Sequence, residues 1–102
     1  MTSFPVAKTG DVPPGKMVGV EIEGDSILVA NVDGRLYAMR AVCSHMGGHL
    51  DKGTLEGNVV TCPLHGSRWD ITTGKLVRFP RPLPPEPIYS VTTVDDQILV
   101  EK

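Results

Sequence analysis

The sequence has no long hydrophobic run: its apolar stretches are a few residues long, such as Ile27 to Ala30. A membrane-spanning helix needs roughly 20 apolar residues, so no membrane segment of that kind is expected. The opening Met1-Thr2-Ser3-Phe4-Pro5-Val6 has neither the charged head nor the apolar core of a signal peptide, which points to a cytoplasmic location. A basic excess is also lacking, since ten Lys and Arg stand against twelve Asp and Glu for a net charge of −2. Nucleic-acid binders carry the opposite balance or a clustered basic face, so no nucleic-acid partner is expected. Internal repeats, low-complexity tracts and convincing amphipathic helices are missing as well. Cysteine is scarce, with only Cys43 and Cys62. In a cytoplasmic chain such a pair offers buried free thiols or, less often, a disulfide.

What is present points to strands. With 102 residues, the chain has room for one domain, spanning 1–102. It holds 11 Gly and 9 Pro, almost a fifth of the chain, which favours many short strands over long helices. Val18, Val20 and Ile22 alternate within Lys16 to Glu23, as in a half-buried strand. Ser26 to Asn31 and Arg35 to Arg40 flank Val32-Asp33-Gly34, a hairpin signal. Asn58 to Thr61 follows a turn at Glu56-Gly57. Arg68 to Ile71 and Lys75 to Phe79 flank Thr72-Thr73-Gly74, and Ile88 to Val94 and Gln97 to Glu101 flank Asp95-Asp96. Phe79 to Pro87 holds five prolines in nine residues and reads as a stiff extended loop. The fold class is antiparallel all-β.

The chemistry concentrates in two short motifs. Cys43-Ser44-His45 is followed, after sixteen residues, by Cys62-Pro63-Leu64-His65. Met46-Gly47-Gly48 follows the first and Gly66-Ser67 the second, and glycine lets backbone approach a bound group closely. Two Cys and two His suit tetrahedral zinc. A zinc finger, however, groups a Cys pair and then a His pair on a helix, whereas here each half is Cys then His and a strand follows the second. The other arrangement is a [2Fe–2S] centre with one iron on two thiolates and the other on two imidazoles.

The motif pair C-x-H and C-x-x-H resembles the signature of the Rieske iron–sulfur family, and nearly the whole chain resembles the small Rieske-type ferredoxins associated with oxygenases. Val12-Pro13-Pro14-Gly15 is similar to their opening turn, Ala38 to Leu50 and Val60 to Gly74 to their two cluster loops, and Phe79 to Pro87 to their proline loop. The resemblance implies a β-sandwich base carrying a two-loop cluster-binding subdomain at about 41–85. It implies one Rieske-type [2Fe–2S] cluster per chain, with Cys43 and Cys62 on the inner iron and His45 and His65 on the outer. Pro82 and Pro84 would cover the cluster. The respiratory branch adds a loop-tying disulfide, but at its positions this chain has Gly48 and Leu64. Ser67 matches a respiratory serine that donates to a sulfide, and Trp69 stands where that branch has a tyrosine, without the hydroxyl.

Two ferric ions, two sulfides and two thiolates sum to a neutral centre, which accepts an electron more readily than a four-Cys one. Rieske potentials span about −150 to +300 mV. With no disulfide and no tyrosine hydroxyl, the lower half is expected, raised somewhat by Ser67. Reduction strengthens proton binding at the two imidazoles, so the potential is expected to fall in alkaline solution.

The resemblance implies a monomeric one-electron carrier between a flavoprotein reductase and a terminal oxygenase or other redox enzyme. The alternative is a small redox subunit of a larger enzyme such as a nitrite reductase. Catalysis by a mononuclear iron needs further His and carboxylate ligands, and only His49 is left over, so the chain is not expected to be an enzyme. Residues 43–85 hold five basic and three acidic side chains, a net +2 against −4 for the remainder. A basic tip of this kind can steer an acidic partner.

Overall fold

Ile27 and Val29 point to one side of their strand and Leu28 and Ala30 to the other, and all four are fully buried. A strand buried on both faces needs a packed layer on each side, and this one lies between two cores. In the computed structural model, residues 2–43, 48–64 and 66–102 are described. They form ten strands: β1 (Ser3–Lys8), β2 (Met17–Ile22), β3 (Asp25–Val32), β4 (Arg35–Arg40), β5 (Thr54–Glu56), β6 (Val59–Thr61), β7 (Arg68–Asp70), β8 (Leu76–Arg78), β9 (Ile88–Val94) and β10 (Gln97–Glu101). Among the described residues the only helical turns are short 3-10 turns at Thr9–Asp11 and Leu50–Lys52. The antiparallel all-β expectation holds.

Six strands form the base in the order β1-β10-β9-β4-β3-β2. The seam between β9 and β4 is only two residue pairs, Ala38 with Tyr89 and Met39 with Ile88. On either side of it, β1-β10-β9 and β4-β3-β2 contribute to one shared core of Val12, Ile22, Ile27, Val29, Ala38, Ile98 and Val100. Three of the hairpins turn on two residues in the left-handed region, Glu23-Gly24, Asp33-Gly34 and Asp95-Asp96. This is the turn type whose twist matches that of the flanking strands.

The second sheet, β5-β6-β7-β8, is inserted between β4 and β9. Its inward residues Leu55, Val60, Trp69 and Leu76 pack on the other face of β3 and β4, formed by Leu28, Ala30 and Met39. Cys43 and Cys62 belong to this second core. Two strands had no clear signal in the sequence. β1 carries Pro5, tolerated because the strand lies at a sheet edge and its register shifts between Pro5 and Ala7. β5 is only three residues long and is defined by its pairing with β6.

Asp70 organises the β7–β8 turn. Its Oδ1 accepts the Thr72 amide at 2.9 Å, the Thr72 hydroxyl at 2.6 Å and the Asn58 amide at 3.1 Å. Desolvation pushes this carboxyl up, but the bonds from Thr72 and Asn58 together outweigh it and hold the group below its ordinary value. A depressed carboxyl stabilises the fold above its unfolded-state pKa and loses that contribution as pH falls through the folded one. Asp70→Ala is expected to cost about 1 kcal/mol at neutral pH, after allowance for its partial exposure. Paired urea titrations should show the gap closing in acid.

Gly53 allows the chain to enter β5 against β6. A Cβ there would run into the Thr61 carbonyl oxygen and lie 3.2 Å from Pro63 Cδ. Gly53→Ala is expected to cost about 3 kcal/mol or more in urea unfolding. Gly10→Ala, where an added Cβ meets nothing within 4 Å, should stay within about 0.5 kcal/mol of wild type.

Candidate metal centre

Two short loops carry the cysteines, and both close in the same way. The Cys43 amide donates to the Gly48 carbonyl at 2.7 Å, and the Cys62 amide donates to the Ser67 carbonyl at 2.8 Å. In each case a cysteine N–H reaches the carbonyl five residues on. The first loop is gathered at its neck by the Leu50 amide on the Ala41 carbonyl at 2.6 Å and a bridge between Val42 and His49. In the second, the Gly66 amide donates back to the Cys62 carbonyl at 3.1 Å, with Gly66 in the left-handed region. His45 and His65 fall within these two spans of the sequence and lie outside the described residues.

The loops also hold each other. The residue that closes the second loop, Ser67, places its Oγ 3.4 Å from Cys43 Sγ of the first. The residue that closes the first, Gly48, backs onto the second, where an added Cβ would lie 2.8 Å from Cys62 Sγ. Both thiols are free and buried. Two unbridged thiols, each pressed against the other loop, form a donor set suited to a soft metal centre. The Gly48 cradle, where a single methyl would press on Cys62 Sγ and Leu64 Cβ, lets the first loop lie directly against Cys62 of the second.

The remaining sequence-predicted residues fall as follows. Ser67 and Trp69 are fully buried, and Trp69 donates its indole N–H to Ser67 Oγ at 3.0 Å. Pro82 and Pro84 are exposed, whereas Leu83 between them is half-buried and packs on the core that contains both cysteines. Leu83 and the buried Glu86 are three residues apart, with Arg81, Pro82, Pro84, Pro85 and Pro87 exposed, which matches the three-residue turn of a proline-rich extended segment. Gly48 and Leu64 meet: a Cβ at Gly48 would lie 3.1 Å from Leu64 Cβ. This is closer than the Cβ separation of about 3.5–4.5 Å across a disulfide, and neither residue can form one. His49 is mostly exposed, with Nδ1 3.9 Å from Asp51 Oδ1.

Outside the thiols, an apolar groove of about 320 Å³ is lined by Gly48, His49, Lys52, Pro63 and Leu64, with Leu64 53% exposed. On the outer face of the small sheet, Arg68 pairs directly with Arg78 across β7 and β8, both exposed. Like charges directly opposite repel, and among the described residues neither has an ion-pair partner. Sequence reasoning counted both as tip charges but did not see that they were neighbours, because the register of β8 is shifted there.

The family model of the Rieske [2Fe-2S] domain matches residues 2–96. The ferredoxin component of a naphthalene 1,2-dioxygenase/salicylate 5-hydroxylase system of Ralstonia is 40% identical over 70 residues, covering 69% of this chain and 67% of that protein. The ferredoxin of carbazole 1,9a-dioxygenase from Nocardioides aromaticivorans IC177 superposes with a TM-score of 0.91 at 31% identity, covering 98% of this chain and 97% of that one. A second structure, a complex of reduced oxygenase and oxidized ferredoxin in carbazole 1,9a-dioxygenase, matches with a TM-score of 0.89 at 28% identity, over 96% of this chain and 91% of that one.

Fold and site together define a small iron–sulfur electron-transfer protein. The chain belongs to the Rieske [2Fe-2S] domain family. Its cofactor is a Rieske-type [2Fe–2S] cluster, and it is an electron carrier rather than a catalyst. No helix among the described residues is long and apolar enough to cross a membrane.

Filling the cradle should disturb the centre before the fold. Gly48→Ala is expected to lower the iron and sulfide bound per chain several-fold. The loss of stability should be about 1–3 kcal/mol. Iron and acid-labile sulfide assays beside urea unfolding separate the two effects.

Proposed function

We propose that the chain takes single electrons from a flavoprotein reductase and delivers them to a terminal oxygenase, as a monomer in the cytoplasm. The ligands in this reading are Cys43 and Cys62 on the inner iron and His45 and His65 on the outer, within one domain spanning 1–102. The observation that carries it is the reciprocal seating of two free buried thiols, each against the closing residue of the other loop. Bound there, the cluster supplies a one-electron couple.

The chain's own residues do the rest. Ser67, Trp69, Leu83 and Leu50 exclude water from the thiol side, and burial of this kind is one of the protein's means of tuning a potential. The apolar groove at Pro63 and Leu64 gives a partner a dry contact, and Lys52 on its rim adds positive charge. Arg68 and Arg78 extend that charge along the small sheet. A carboxylate-bearing partner surface would relieve their mutual repulsion, so the partner face is expected to be acidic.

Potentiometric titration followed by EPR should show one electron per chain with a Rieske-type signal, absent in Cys43→Ser and Cys62→Ser. Reduced protein mixed in stopped flow with a purified oxygenase of the carbazole 1,9a-dioxygenase type should be reoxidised, about tenfold more slowly at high salt or in Arg68→Glu/Arg78→Glu. A chain that binds no cluster after anaerobic reconstitution would overturn the ligand assignment. A reduced chain that passes its electron to no oxygenase would remove the partner and keep the carrier.

A further inference from the structure

Trp69 lacks a phenolic hydroxyl, yet it still presents a donor to the centre's surroundings. Its indole N–H does not reach a thiol but ends on Ser67 Oγ at 3.0 Å, and that oxygen lies 3.4 Å from Cys43 Sγ. The direction of both bonds follows from the chemistry of the groups. An indole nitrogen can only donate, so Ser67 Oγ accepts from Trp69. Either atom of the Ser67–Cys43 contact could donate while Cys43 is a thiol; as a metal-bound thiolate Cys43 Sγ would have no hydrogen and could only accept, which makes the Ser67 O–H the donor. Trp69 and Ser67 are fully buried and Cys43 is 4% exposed, so the three groups are shielded from bulk water.

We propose that Trp69 is a positioning residue for electron transfer. Its N–H occupies a lone pair of Ser67 Oγ, orients the hydroxyl hydrogen onto Cys43 Sγ and so favours the reduced protein. This inference rests on the assignment of Cys43 as a ligand. A donor to a ligand sulfur stabilises the state with the extra negative charge, which raises the potential. Two further features keep the relay in register. The Ser67 carbonyl accepts the Cys62 amide at 2.8 Å, which anchors the serine backbone. Trp69 is paired with Val60 on one side and Leu76 on the other within the small sheet, which anchors the ring. Serial hydrogen bonds polarise one another, strengthening each by about 10–30%. A hydroxyl released from the indole would be free to rotate away from the sulfur.

A double-substitution cycle read by potentiometry tests this. Ser67→Ala should shift the reduction equilibrium toward the oxidised form by about tenfold, the value of a hydrogen bond to a charged group. Trp69→Phe should shift it by about two- to fivefold when Ser67 is present. The same change should have less than about half that effect on a logarithmic scale once Ser67→Ala has removed the acceptor. Replacement of Trp69 by its benzothienyl isostere removes the N–H while keeping the bulk, and should reproduce the Trp69→Phe shift even if the phenylalanine variant folds poorly. Equal shifts with and without the Ser67→Ala change would make Trp69 simple cover and overturn the relay, as would no shift with the isostere. Failure of wild-type protein to bind a cluster would instead overturn the ligand assignment, so the two failures are distinguishable.

Discussion

The centre depends on one constraint: each cysteine must be both buried and available. A buried thiol that only packs is inert, and an exposed one is open to oxidation or pairing. Here the solution is made of backbone. Each cysteine amide is tied to a carbonyl five residues on, and each loop's closing residue is pressed against the other loop's sulfur. The small sheet supplies the floor, with Val60 and Trp69 pointing inward. The base supplies the wall, because β3 and β4 send alternate residues into two cores. Without burial on both faces of β3, the loop-bearing sheet would have nothing to pack on.

Much of this was legible in the sequence because strands and turns carry local signals. Asp33-Gly34 and Asp95-Asp96 sit in the left-handed region that a tight hairpin requires, and the strands on either side of each follow from alternation. Elements defined by their partners were not legible. Thr54–Glu56 is too short to carry a pattern, and Ser3–Lys8 contains a proline that reads as a breaker until an edge position excuses it. The two Cys-His motifs stood out in the sequence by their spacing. Ser67 and Trp69 were named through the resemblance, but which of the two faces a thiol was not legible, since the contact of Ser67 with Cys43 joins residues 24 apart. The proline stretch shows the same limit. Its stiffness is evident in the sequence, but only the fold shows that Leu83 faces the cysteine core while Pro82 and Pro84 face outward.

Trp69 illustrates how a substitution can change a role without abolishing it. Read as a tyrosine lacking its hydroxyl, it is a lost donor. In the fold its N–H is displaced one step back, onto the serine that faces the thiol. A buried serine hydroxyl with no second partner could point its hydrogen in several directions. With the indole donating to it, the hydrogen has a defined destination, so the two residues act as one unit rather than as two separate tuning groups.

The loops lack the covalent tie that Gly48 and Leu64 stand in place of, and that absence shapes the energetics. A single hydrogen bond contributes about 1 kcal/mol, so the Ser67–Cys43 contact and the two backbone closures together are small beside the entropy of ordering two loops. Packing of Leu50, Leu83 and Trp69 in the core that contains both cysteines adds to them. With Cys43 and Cys62 as ligands, as proposed above, the strongest link between the loops would be the cluster itself. Metal binding and the closure of the two loops would then be coupled. Whatever stabilises the loops also strengthens retention of the centre, and Gly48 serves both, because its missing side chain lets the first loop lie close against Cys62 of the second.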